Sequence, residues 1–265
     1  MEQSMPDPDI NQIAGLISQD AGLAGSVLKL VNSGCFDLSE KIESITEAVT
    51  RLGIDPVINI VNGLSIKGEL SDEAVINMTK FWDSATDVAT VAMFIAKRID
   101  YPSPDAAYNL GLFHNCGIPL LIKSKGDFIE TMVQSYSQDD VRIVDIENKV
   151  YKTNHAVLGY YVAKSWHCSK ELCEIIADHH NAERIFKSSY YQDYGANKKT
   201  LLAILKFSEH VCGLNQVLGN CPEDHEWSKI QGPLLDYLGI TTYEYETIID
   251  IIRDMGLIHA KELCA

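Results

Sequence analysis

Apolar residues recur at spacings of three and four almost throughout this chain, and no run alternates strictly between hairpin turns, so the pattern predicts a nearly all-helical protein. Asp9 opens a helix reaching Ser18, Gly22 to Asn32 forms a second, Ser44 to Leu52 a third, and Asp55-Pro56 starts a fourth with proline in its first turn. A longer helix runs from about Asp72 to Ile99, where YPSPD ends it and caps its successor. Further helices are expected at 105–115, 118–123, 125–136, 139–151, 154–166, 170–182, 198–218, 226–238 and 242–261, with a surface loop over 187–197. A boundary near GELSD, 68–72, divides a small N-terminal bundle, 1–70, from a larger C-terminal one, 71–265.

Several of these helices place polar side chains on the apolar stripe. Ser84 shares a face with Val88, Val91 and Ile95, and His155 with Leu158, Gly159, Val162 and Trp166. The segment SKELCEIIADHH, with Ser169 as expected N-cap, carries Leu172, Ile175, Ile176 and His179 on one face and His180 just beside it. Glu209 interrupts the stripe of Leu202, Leu205 and Cys212, and His114 and Asn115 sit inside the apolar stretch GLFHNCGIPLL. A single buried imidazole needs only one hydrogen bond, but a buried carboxylate costs several kcal/mol unless it is paired. Five helices aiming polar groups inward therefore point to one shared site of His114, Asn115, His155, His179, His180 and Glu209. Imidazole and carboxylate are ligands for Mn, Fe, Ni and Zn, so a metal is the first hypothesis for such a cluster.

Composition narrows the partners. The 265 residues carry 22 Lys and Arg against 37 Asp and Glu, a net charge of -15, and no basic run exceeds two residues. Nucleic acid and anionic membrane surfaces are poor expectations for such a chain. Seven cysteines in no C-x-x-C spacing read as small buried hydrophobes in a reducing cytoplasm. The acidic start MEQSMPDPDI and the short longest apolar run, VATVAMFIA, predict neither a signal peptide nor a membrane span.

The segments FWDSATDVA, GLFHNCGIPLL, NHAVLGYYVAKSW and IIADHH, in that order, resemble the HD superfamily of metal-dependent phosphohydrolases, and more closely its HDOD branch of signalling output domains. ISQDAGLAGSVLKLVNSGCF and KIESITEAVTRLGID, with Asp20, Ala21, Gly22 and Leu23 and the pair Asn32-Ser33, resemble the HDOD N-terminal bundle. The resemblance spans roughly 10–215 and implies an all-α, HD-like helical bundle preceded by a smaller one. Carried over by position, it places the first ligand histidine on Ser84, the His-Asp pair on His114-Asn115, extra histidines on His155, His179 and His180, and the last aspartate on Glu209. Serine is too short and too weakly basic to replace imidazole, and neutral Asn115 cannot bridge two cations as a carboxylate does.

These substitutions imply a catalytically inactive regulatory module that binds a signalling protein or a ligand, with either no cofactor or a single divalent transition metal, Mn, Fe, Ni or Zn, at a degenerate site. Against it stand a metal-dependent phosphohydrolase with an unusual ligand set, and a metal-free hydrogen-bonded histidine core, which is compatible with the regulatory reading. Only MEQSMPDP precedes Asp9, where the family usually has a further helix, so the expectation is an ordinary short start to the N-terminal bundle, with an open apolar face serving as a homodimer surface as the alternative.

Overall fold

The computed structural model describes residues 9–18, 27–28, 42, 44–52, 79–165, 168–187 and 194–256, and among them there is no strand. Contacts divide the chain into two units, Met1–Ser71 and Asp72–Ala265. In the first, α1 (Ile10–Ser18) packs on α2 (Ile45–Leu52), burying Ala14, Ile17, Ala48 and Val49. Ser44 starts α2 by accepting the Glu47 amide at 3.1 Å. The expected helix over Gly22 to Asn32 (apart from Val27 and Leu28), the start at Asp55-Pro56, the GELSD boundary, Trp166 and most of the 187–197 loop lie outside the described residues.

The second unit contains α3 (Thr79–Arg98), α4 (Pro104–Phe113), α5 (Ile118–Ser124), α6 (Phe128–Tyr136), α7 (Ile143–Tyr151) and α8 (His155–Ser165). It continues with α9 (Lys170–Asp178), α10 (Ala182–Lys187), α11 (Ala196–Val211), α12 (Leu214–Gly219), α13 (His225–Leu238) and α14 (Thr242–Asp254). Pro104 fits the first turn of α4, and Ser169 caps α9 by accepting the Leu172 amide at 3.2 Å. Thr241 and Glu244 form a capping box on α14.

The core is organised around α11, which packs against α3, α4, α9, α12 and α13 and is buried without interruption from Leu201 to Val211. A helix enclosed on all sides should be apolar all round. This one carries Lys206, Ser208, Glu209 and His210 into the interior, and each of them needs a partner there. Close approach of α3 to α4 depends on Gly111, where a Cβ would lie 2.6 Å from Ala89 Cα.

Two expected helices are shorter than their periodicity suggests. The segment 170–182 leaves the α-helical path at Asp178 and passes through a 3-10 turn, His179–Asn181, before α10 begins. In that turn the His179 Nδ1 bonds to the Ile176 carbonyl and Asn181 Nδ2 donates to Asp178, side-chain bonds that compete with the helical ladder. The segment 198–218 breaks after Val211 because Gly213 takes a left-handed conformation, φ 65°, which ends α11 and starts α12. No helix among the described residues is long and apolar enough to cross a membrane.

Five described cysteines, 116, 168, 173, 212 and 221, are free thiols. Burial pushes the Cys116 and Cys212 thiols up, and Cys168 to about 11, so these sulfurs stay protonated and unreactive.

Candidate metal centre

His155 stands at the first position of α8, His179 and His180 in the 3-10 turn after α9, His114 just beyond α4, and Glu209 on α11. The fold brings these five together. His155 Nε2 lies 3.4 Å from His179 Nε2 and 3.0 Å from His180 Nε2. The His114 and His179 rings meet edge to face with centroids 5.5 Å apart, and His114 Nε2 lies 3.3 Å from Glu209 Oε1. All four imidazoles are buried.

Close packing delivers His155 to this point. Just before α5, a Cβ on Gly117 would sit 2.0 Å from the carbonyl oxygen of His155 and 2.6 Å from the Gly159 amide, so only glycine lets the 114–117 turn lie against the start of α8.

The partners of the ring Nδ1 atoms fix the chemistry of the opposite nitrogens. His155 Nδ1 is 2.7 Å from Glu147 Oε1, and His179 Nδ1 is 2.7 Å from the Ile176 carbonyl. His114 Nδ1 is 2.7 Å from the Gly111 carbonyl, and His180 Nδ1 is 3.2 Å from both Glu226 oxygens. Carbonyls and carboxylates only accept, so each Nδ1 carries the hydrogen and each neutral ring turns a bare Nε2 lone pair toward the cluster. Lone pairs 3.0–3.4 Å apart cannot hydrogen-bond to one another. That spacing does match ligands around one ion: two nitrogens on bonds of about 2.1 Å at a tetrahedral angle lie about 3.4 Å apart. Among the described residues, His155, His179 and His180 form the group of side chains close enough to hold a metal.

A proton is a poor substitute for such an ion. Burial, neighbouring histidines and the Lys206 ammonium hold His179 and His180 well below the usual imidazole range, and His114 at about 3. Carboxylate anchoring of ring Nδ1–H groups, as by Glu147 and Glu226, is the outer support that metal-binding histidines ordinarily have. The residues therefore fit one ion.

They do not fit two. Asn115 is buried but neutral, and its Oδ1 has no hydrogen-bond partner among the described residues. The Ser84 hydroxyl donates to the Phe81 carbonyl at 2.7 Å and offers the cluster nothing comparable to an imidazole.

Three groups at this site escape the polar-on-apolar reading. Glu147, fully buried, accepts both the His155 amide at 2.8 Å and its Nδ1–H. Lys206, on α11, places its ammonium 2.5 Å from Glu209 Oε2 and 2.6 Å from Glu226 Oε2. Glu209 is thus not the sole anion of the centre. The sequence does signal Glu147, which follows Ile143 and Val144 at offsets of four and three, and Lys206, which precedes Glu209 by three. Glu226 lies in the first turn of α13, where an acidic residue ordinarily serves the helix dipole, and nothing in the sequence distinguishes it.

Burial opposes the charge on Lys206, but Glu209 and Glu226 outweigh it and raise its pKa. Burial also raises the Glu209 carboxyl, to about 7, with Glu226 and Asp224 adding to the rise against the pull of Lys206. An open cavity of about 220 Å³ reaches His180, Glu209 and Glu226, and carboxylates outnumber Arg and Lys side chains in its lining. That polarity suits a cation better than a phosphate ester.

The HDOD domain family matches residues 1–182. An uncharacterized protein of Treponema pallidum (strain Nichols) is 25% identical over 66% of this chain, and YuxH of Bacillus subtilis (strain 168) is 29% identical over 60% of it. The chain spans 34% and 35% of the lengths of these two relatives. An HDOD domain protein of unknown function from Geobacter sulfurreducens superposes with a TM-score of 0.64 at 23% identity, covering 94% of this chain and 83% of that one. A candidate phosphohydrolase from Shewanella amazonensis SB2B and a candidate signal transduction protein from Marinobacter aquaeolei VT8 each superpose with a TM-score of 0.62 at 20% identity over 96% of this chain. They are covered to 86% and 54%, and at these identities the likeness shows a shared fold.

Proposed function

This chain belongs to the HDOD domain family, and from that premise we propose that it is a non-hydrolytic signalling module that binds one divalent transition metal and acts by engaging a protein partner. The observation that carries this reading is the set of three Nε2 lone pairs on His155, His179 and His180, each ring oriented through its Nδ1 by a carboxylate or carbonyl. Mn, Fe, Ni or Zn would be held by those three nitrogens, and such an ion supplies Lewis acidity or a fixed anchor. In this chain the anchor role fits better. Hydrolysis of a phosphoester by a pair of ions requires a bridging anion where Asn115 stands and a cavity that welcomes phosphate. Held by His155 on α8 and by His179 and His180 in the turn after α9, an ion would tie these two segments together and steady the surface offered to a signalling protein.

The alternative, a metal-dependent phosphohydrolase, draws on the cavity that reaches the cluster and on the description of the Shewanella protein. Two measurements on the purified chain separate them: metal content by elemental analysis after loading with each ion and desalting, and hydrolysis of a nitrophenyl phosphodiester. One equivalent of metal with turnover no greater than that of His155→Ala supports the module. Metal-dependent turnover that disappears in His155→Ala establishes the hydrolase and overturns the module.

A further inference from the structure

We propose that Lys206 is a built-in cation standing in the place of a second metal ion, so that the centre is closed to all but one. The proposal extends the single-ion reading above, but its test compares variants and does not depend on the ion held by the triad.

Lys206 is 3% exposed, and its ammonium reaches two carboxylates, Glu209 at 2.5 Å and Glu226 at 2.6 Å. Each carboxylate also faces a histidine: Glu209 Oε1 lies 3.3 Å from the bare Nε2 of His114, and Glu226 accepts from His180 Nδ1 at 3.2 Å. Two carboxylate oxygens facing one point are hard anionic ligands of the kind a divalent cation takes. Here an ammonium already fills the space between the carboxylates.

An ammonium has three donors and no lone pair, so it neutralises these oxygens without offering a ligand of its own. It also costs the chain nothing in metal supply, since the positive charge is covalently attached. A cation that repels further positive charge while holding both carboxylates caps the ion count at one.

Replacing the ammonium with an apolar side chain of similar length leaves buried Glu209 and partly buried Glu226 without their cation, and an ion can take its place. Mn²⁺ binding by Lys206→Met, measured by elemental analysis and electron paramagnetic resonance, should give one more equivalent than the parent and a signal from coupled spins. Lys206→Arg, which keeps the charge, should bind the same number as the parent. Equal counts in Lys206→Met and the parent overturn the proposal. A parent that binds no Mn²⁺ overturns the triad reading instead, while a gain of one ion in Lys206→Met still supports the role of Lys206. Should Lys206→Met fail to give a cooperative melt by circular dichroism, His114→Ala in the parent decides: an unchanged ion count supports the proposal, and loss of the bound ion overturns it.

Discussion

Glu147 accepts both hydrogens that orient His155, and no solvent reaches it. Glu147→Gln keeps the shape but removes an anion that fixes the tautomer, so metal affinity should fall roughly 10–100-fold in competition titrations with a chromophoric chelator. Protons act on the same rings. In chelator-treated protein, His114 titrates at about 3 and His179 and His180 well below 6.5, whereas the unfolded chain binds protons near 6.5. Stability from these groups is therefore complete above 6.5 and is lost as pH falls toward 3. Glu209 acts in the opposite sense, since its folded carboxyl at about 7 holds a proton that the unfolded chain has released above 4.5. Three rings outweigh one carboxyl, so the urea midpoint of the metal-free protein should be lower at pH 5 than at pH 7. His114→Gln should make that dependence shallower. His155, His179 and Glu209 were legible in the sequence because each falls on an apolar stripe, His114 because it sits inside an apolar stretch, and His180 because it adjoins His179. Glu226 was not, because an acid in the first turn of a helix has an ordinary reason to be there.

Helix positions were largely legible too, since caps and glycines leave local signatures: Ser44, Pro104 and Ser169 mark starts where the structure has them. The breaks at Asp178 and Gly213 were hidden because apolar spacing continues across them, and only side-chain bonds and a left-handed backbone end the helices there. The turn carrying His114 tests this level of organisation. Gly117→Ala drives a Cβ into the His155 carbonyl, a backbone atom that cannot swing away, and should cost about 1–3 kcal/mol in urea denaturation. Gly126→Ala, where a Cβ would meet nothing within 4 Å, should change stability little by the same measurement. Metal affinity should drop with Gly117→Ala and stay unchanged with Gly126→Ala, because only the former displaces α8.

Across the C-terminal unit, α11 is buried along most of its length yet carries a lysine, a glutamate and a histidine inside, and the polar centre is what makes that burial tolerable. A metal that binds only the folded chain should raise its thermal midpoint, by about 2.7 kcal/mol of added stability at a free concentration one hundred times Kd. His179→Ala should abolish the rise in a thermal scan with and without Mn²⁺. What the chain alone could not reveal is how α4, α8, α9 and α11 meet, because apart from the adjacent His179 and His180 each candidate ligand lies far from the next in sequence. Glu147 also accepts the backbone amide of His155, at the very start of α8. The first turn of that helix and the orientation of the ring therefore open together, and the His155 amide becomes a reporter: its hydrogen-exchange rate should slow when metal is added, without any change at the far end of α8.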